Sequence, residues 1–243
     1  MEVVKFTLDG KFAFFKKPDV NAYGYFTYGN IHKVALMGIF GAILGFDGYN
    51  QQQSNVYPEF YEKLMKLNVS IIPKDISCSK KMQIYNNSVG YASKEKGGNL
   101  IVKEQWLENP IWDIMVIIQD DISKNLKSAL INREFIYLPY LGKNDHLANI
   151  TNISIINDIP VIENADTVDS LFLKKHFELE NNNEYDLFHD PTNYFKYEEK
   201  LPIGLEELTN KYILESFIYT NMNVKNLGFQ KVYRYENKNI VFI

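Results

Sequence analysis

The chain has 243 residues, nearly half of them apolar, enough to bury a substantial core in one large domain or in a domain with a smaller appendage. Its one cysteine, Cys78, excludes a disulfide scaffold, and a formal charge of -4 argues against a generally basic nucleic-acid coat. That total hides a split: residues 1–110 hold 13 basic and 10 acidic side chains and residues 111–243 hold 13 and 20, so a polyanion would favour the first part.

Val4, Phe6, Leu8, Phe12 and Phe14 share one parity against Lys5, Thr7 and Lys11, the period of a half-buried strand. Asp9-Gly10 fits either a hairpin turn or one long strand kinked at the glycine. After a polar, aromatic-rich loop over 18–30, Asn30 can cap a helix that runs through Val34, Leu36, Met37, Ile39, Phe40, Ile43 and Leu44 to a stop at Gly45. Apolar residues surround this helix, which predicts burial between a sheet and a second layer, with Gly38, Gly41 and Gly45 allowing close backbone approach. A second helix is expected over 58–67, burying Phe60, Leu64 and Leu67.

Strands at 81–85 and 100–106 flank a polar excursion, 86–99, too long for a tight turn, so this stretch reads as a projecting arm. A strand at 111–119, a helix opened by Asp120-Asp121 and a strand at 135–138 follow. Strand, helix, two strands, helix, strand is the βαββαβ order of a ferredoxin-like fold, class α+β. Beyond Leu141-Gly142 come short apolar runs at 153–156 and 160–162, an acidic, Asn-rich stretch from Glu178 to Asp190, and a terminal hairpin around residues 236–239. The expected division is a first domain over 1–148, with its arm at about 80–106, and a β-rich appendage over 149–243. No leader pattern opens the chain, and the longest apolar run, 34–46, is too short and too glycine-rich to cross a bilayer, so a cytoplasmic setting is expected.

Catalytic patterns are sparse. His32, His146, His176 and His189 lie far apart without metal-ligand spacing, and neither a nucleophile motif nor a phosphate loop is present, so no cofactor or metal is expected. His189-Asp190 alone reads as a solvated loop. Three segments could bind a polyanion. The first is the helix start, where His32 and Lys33 join exposed amides and a positive dipole end. The second is the arm, which combines Lys80, Lys81, Lys94, Lys96 and Lys103 with Tyr85, Tyr91 and Trp106: cations that can track phosphates and rings that can stack on bases. The third is the turn Gly142-Lys143-Asn144-Asp145-His146, followed by a short helix. A capped helix, a solvated hairpin and a plain interdomain turn would account for the same residues.

Together these segments resemble the Cas-five family of CRISPR-associated proteins. The residues that carry the likeness are the opening strand Phe6 to Pro18, Thr27-Tyr28 with the helix Val34 to Gly45, and Tyr140-Leu141-Gly142-Lys143 continued by His146-Leu147-Ala148. Length and a Tyr/Asn/Lys-rich character are similar to subtype I-B members. The resemblance spans residues 3–150 and implies an RNA-recognition-like (RRM-like) domain that caps one end of a type I effector complex (Cascade). It further implies a grip on the 5′ handle of the crRNA, with the arm as a thumb against the backbone subunit (Cas-seven) and the acidic second half toward the large subunit (Cas-eight). Target DNA would be met only through the complex. The alternative within that resemblance is a metal-independent endoribonuclease processing precursor guide RNA, with Tyr28, His32, Lys33 and His146 supplying proton-transfer groups.

Overall fold

Alternation in the opening residues produces strand β1 (Val3–Asp9), whose Val4, Phe6 and Leu8 are fully buried. The chain bends at Gly10 into the two-residue β2 (Phe12–Ala13), which pairs with a different sheet, so Asp9-Gly10 is a kink and not a hairpin. The computed structural model describes residues 1–19, 23–76, 78–88, 90, 94–96, 98–163, 165–180 and 194–243. Tyr91, His189-Asp190 and most of the acidic stretch lie outside the described residues.

Helix α1 (Lys33–Leu44) ends, as its sequence predicts, on a left-handed Gly45. Its cap is His32, whose Nδ1 accepts from the Ala35 amide at 3.2 Å. Asn30 is drawn instead to the buried Trp112, whose Nε1 donates to Asn30 Oδ1 at 2.9 Å, so the expected asparagine cap is corrected. A short α2 (Glu59–Leu64) lies against α1, and a Cβ on Gly41 would stand 2.5 Å from that of Phe60. Gly38 meets nothing within 4 Å and opens on a cavity, contrary to its expected packing role.

Four strands form the main sheet: β3 (Val69–Pro73), β6 (Ile111–Ile117), β1 and β7 (Asn149–Ile156), in that spatial order and antiparallel throughout. Buried along its whole length, β3 lacks the alternation that marks a half-exposed strand. The strands expected at 81–85 and 100–106 are real but sit outside this sheet. They are β4 (Ser79–Asn86) and β5 (Ile101–Glu108), eight residue pairs of an antiparallel arm joined at its base to β2. After α3 (Asp121–Asn132), opened by an Asp120–Ser123 capping box, the expected strand at 135–138 is absent. That segment donates its Ile136 and Tyr137 amides to the Ile43 and Ala42 carbonyls, both at 3.0 Å, and so satisfies the C-terminal end of α1. The short helix expected after Gly142 is likewise a turn. The first strand past residue 148 is β7, which pairs with β1 and belongs to the main sheet.

The remaining chain covers both sides of this frame. Strands β8 (Val161–Ile162), β9 (Phe172–Leu173) and β10 (Phe177–Leu179) are short. The long hairpin β11 (Lys196–Leu205) and β12 (Tyr212–Thr220) packs on α1, placing that helix between two β layers. Strand β13 (Val224–Asn226) pairs with β10, and the expected terminal hairpin is β14 (Val232–Tyr235) with β15 (Lys238–Ile240). Ile240 and Phe242 pack with Val3, Ile72, Met115 and Ile117, which covers the β3 and β6 side of the sheet face opposite the helices and leaves Asn149 and Ser154 of β7 exposed.

Candidate nucleic-acid interface

The turn after Leu141 requires glycine. Gly142 has φ +83°, and a Cβ there would lie 2.1 Å from the Phe14 carbonyl oxygen. Phe14 donates its amide to the Leu141 carbonyl at 2.9 Å, the Leu141 amide donates to His146 O at 2.7 Å and the His146 amide to Lys143 O at 2.9 Å. This knot aims Lys143 at the arm, where its Nζ donates to Glu104 Oε2 at 2.8 Å and to the Tyr85 hydroxyl at 3.0 Å. Tyr85 in turn donates to Glu104 Oε1 at 2.9 Å, and Trp106 Nε1 donates to Oε2 at 2.8 Å. Burial pushes the Glu104 carboxyl up, but hydrogen bonds from Lys143, Trp106 and Tyr85 outweigh it and hold the carboxyl below its ordinary range. The His146 ring stands edge-on to Trp106 at 4.5 Å, and its buried nitrogens have no hydrogen-bond partner among the described residues. Burial first, and then the Lys143 charge, holds this imidazole in its neutral form.

Four of the expected binding residues, Tyr85, Trp106, Lys143 and His146, thus converge, but on one another. Side chains alternate across the hairpin, and the register puts Lys81, Gln83, Tyr85, Val102, Glu104 and Trp106 on this sealed side. Lys80, Met82, Ile84, Ile101, Lys103 and Gln105 take the other, open side. The expectation of one surface shared by all the arm lysines and the glycine turn is therefore corrected. Lys80 and Lys103 are exposed without an ion pair among the described residues, as are Lys94 and Lys96 near the arm tip, while Lys81 lies 3.9 Å from Glu108. Asn144 is exposed beside Gly142.

The aromatic loop borders both sides of the arm with residues that sequence reasoning missed: Tyr25 pairs in parallel with Glu104, so its ring falls on the sealed side, while Phe26 faces the open one. Tyr25 donates its amide to the Lys103 carbonyl and accepts from the Gln105 amide, both at 2.8 Å, adding a rung to β5. On the sealed side Lys16 Nζ sits 3.8 Å above the Tyr25 ring, and on the open side Lys17, Phe26, Thr27 and Lys80 line a depression of about 270 Å³ in which Lys17 Nζ is paired with Glu199 Oε1 at 2.5 Å. The aromatic loop was visible in the sequence, but its return to a strand almost eighty residues away has no local signal. The exposed Lys80 and Lys103 with Phe26 on the open side are cation and ring parts of the kind from which single-stranded nucleic acid is held.

At the start of α1, the His32 ring is enclosed by Phe15, Tyr28 and Tyr212, and burial lowers its pKa to about 3. Burial also lowers Lys33 to about 8 and raises Tyr28 to about 12, and Lys33 has no ion pair among the described residues. Beside this end lies a cavity of about 710 Å³ walled by Ala35, Gly38, Tyr49, Tyr137, Tyr140 and Tyr212. No group of three His, Cys, Asp or Glu side chains that could hold a metal occurs among the described residues.

No family model matches this sequence, and no curated protein matches it. Solved structures do. A CRISPR protein from Archaeoglobus fulgidus superimposes with a TM-score of 0.53 over 99% of both chains at 9% identity. A chain of a CRISPR RNA-guided surveillance complex gives a TM-score of 0.50 over 92% of this chain and 91% of that one, at 12% identity. The fold is that of CRISPR-associated proteins. Within this CRISPR fold the likeness is one of backbone arrangement, and side-chain roles have to be argued from this chain's own residues. Among the described residues no helix is long and apolar enough to cross a membrane.

Proposed function

We propose that this chain is a guide-RNA-binding, non-catalytic subunit of a CRISPR type I effector complex, of Cas-five kind and subtype I-B, acting in the cytoplasm. The observation that carries the reading is the exposed pair Lys80 and Lys103 with Phe26 on the arm's open side, on a backbone that matches a chain of an RNA-guided surveillance complex. The order β1-α1-β3-β6-α3-β7 with strands arranged β3-β6-β1-β7 supports an RRM-like, ferredoxin-like core. The β3 and β6 side of the sheet face opposite the helices is covered by the chain's own C-terminal residues, so RNA is assigned to the arm and the glycine turn. In this reading Lys80 and Lys103 neutralise phosphates of the 5′ handle, while Phe26 stacks on an unpaired base. Met82, Ile84 and Ile101 meet the backbone subunit, the large subunit contacts the acidic second half, and target DNA is reached only through the assembly.

A ribonuclease reading finds less support. A histidine with pKa about 3, enclosed by three rings and engaged at Nδ1 as a helix cap, is a weak proton acceptor near neutral pH. Labelled repeat RNA incubated with the purified chain in EDTA tests both readings. Retention of the 5′ handle without cleavage is expected. Defined cleavage that is lost in His32→Ala would replace the binding reading with the enzymatic one, and failure to retain RNA at low salt would remove both.

A further inference from the structure

The glycine turn has the makings of a phosphate seat. Gly142, Asn144 and Asp145 are exposed, and the amides of residues 142 to 145 meet no acceptor among the described residues. Lys143 is the cation of this turn, yet its ammonium is held by Glu104 at 2.8 Å. Glu104 is 6% exposed and does not depend on Lys143 alone, because Tyr85 and Trp106 donate to it from the same face of the arm. A carboxylate with two neutral donors of its own can give up a shared lysine at less cost than an isolated one. The anion most able to take a lysine from a carboxylate is a phosphate, which offers several charged oxygens and can accept from turn amides at the same time.

We propose that Glu104 is a guard on Lys143: in the free chain its carboxylate occupies the lysine, and a backbone phosphate of single-stranded RNA displaces it, freeing the arm from the turn as RNA is seated. This rests on the RNA-binding reading above and adds a control element to it. RNA is then favoured only when its phosphate is delivered to the turn, which discriminates against loose binding of any polyanion to an exposed lysine.

The test measures affinity of a fluorescein-labelled single-stranded oligoribonucleotide across a salt series for the wild type, Glu104→Gln, Lys143→Met and the double variant. Acylation of Lys143, read by mass spectrometry without RNA, runs alongside. Glu104→Gln is expected to bind more tightly, by roughly three- to tenfold, and to steepen the salt dependence by about 0.7 log units, one phosphate contact. Lys143→Met in the Glu104→Gln background should remove that gain, and Lys143 should be acylated faster in Glu104→Gln than in the wild type. Should Glu104→Gln misfold, Tyr85→Phe loosens the same contact without changing charge and should give a smaller gain in the same direction. If Glu104→Gln and Lys143→Met weaken RNA binding alike and the double variant adds nothing, the pair is a structural pin and the guard is overturned. If no variant binds RNA while Lys143 stays protected only in the wild type, the RNA reading itself fails and the ion pair stands.

Discussion

The two faces of the arm are built from alternate residues of the same two strands, yet they end in opposite states. On one face Glu104 gathers Lys143, Tyr85 and Trp106 around a single carboxylate, and His146 closes the edge. On the other, Lys80 and Lys103 stand in solvent beside Met82 and Ile84, which are 47% and 57% exposed. The difference comes from what each face meets. One lies over the Gly142 turn, which supplies a partner for a buried charge, and the other is edged by the aromatic loop, whose Lys17 is paired with Glu199 but which leaves Lys80 and Lys103 without an ion pair among the described residues. A lysine's presence on a candidate arm therefore says little about its availability, because a parity step of one residue decides it.

The sharpest way to break this contrast is Glu104→Ala, which strands a half-buried ammonium and leaves Tyr85 and Trp106 without their acceptor. A loss of about 3 kcal/mol in urea denaturation is expected. A loss below about 0.5 kcal/mol would mean that the sealed face is no more structural than the open one. Next in size is Lys80→Ala with Lys103→Ala. This pair should leave the fold within about 0.5 kcal/mol of wild type but flatten the salt dependence of single-strand RNA binding by roughly 1.4 log units, two phosphate contacts. An unchanged slope would remove the open face from the RNA path.

Acid should affect the sealed face in two stages. His146 is neutral in the fold with its pKa held below its ordinary 6.5, so its contribution is complete above that value and is lost as pH falls beneath it. Glu104, held below its ordinary 4.5, contributes above that pH and is lost as pH falls further. His146→Phe should reduce the loss seen in thermal melts between about pH 7 and 5 without abolishing it, because buried His32, lowered to about 3, also loses its contribution as pH falls below 6.5, and it should leave the second stage. A first stage of unchanged size in His146→Phe would assign it to His32 and remove His146 from the acid response. The smallest effect is expected at Met82→Ala, whose solvent-facing side chain should change stability by less than about 0.5 kcal/mol, measured by the same melts.

Local pattern carried much of the architecture. The stop of α1 at Gly45, its apolar surface, the arm hairpin and the terminal hairpin all depend on contacts within a few tens of residues, where periodicity and turn residues carry the signal. The failures share a different cause. Residues 135–138 have the composition of a strand, but the open carbonyls of Ala42 and Ile43 claimed their amides. Strand β3 is buried on both faces and so shows no period. Among the candidate site residues, type and segment were legible, since Tyr85, Trp106, Lys143 and His146 do meet, whereas Glu104 and the Tyr25 rung were not.

Sequence alone determined which residues are charged, which alternate and where glycine must break a helix, because these follow from backbone sterics and the free energy of leaving apolar surface in water. Only the tertiary structure decided which lysines are spent inside the protein and which are left for a partner. An ion pair between residues thirty-nine positions apart costs no local preference on either side, and it forms only where packing brings a buried carboxylate within reach of an ammonium.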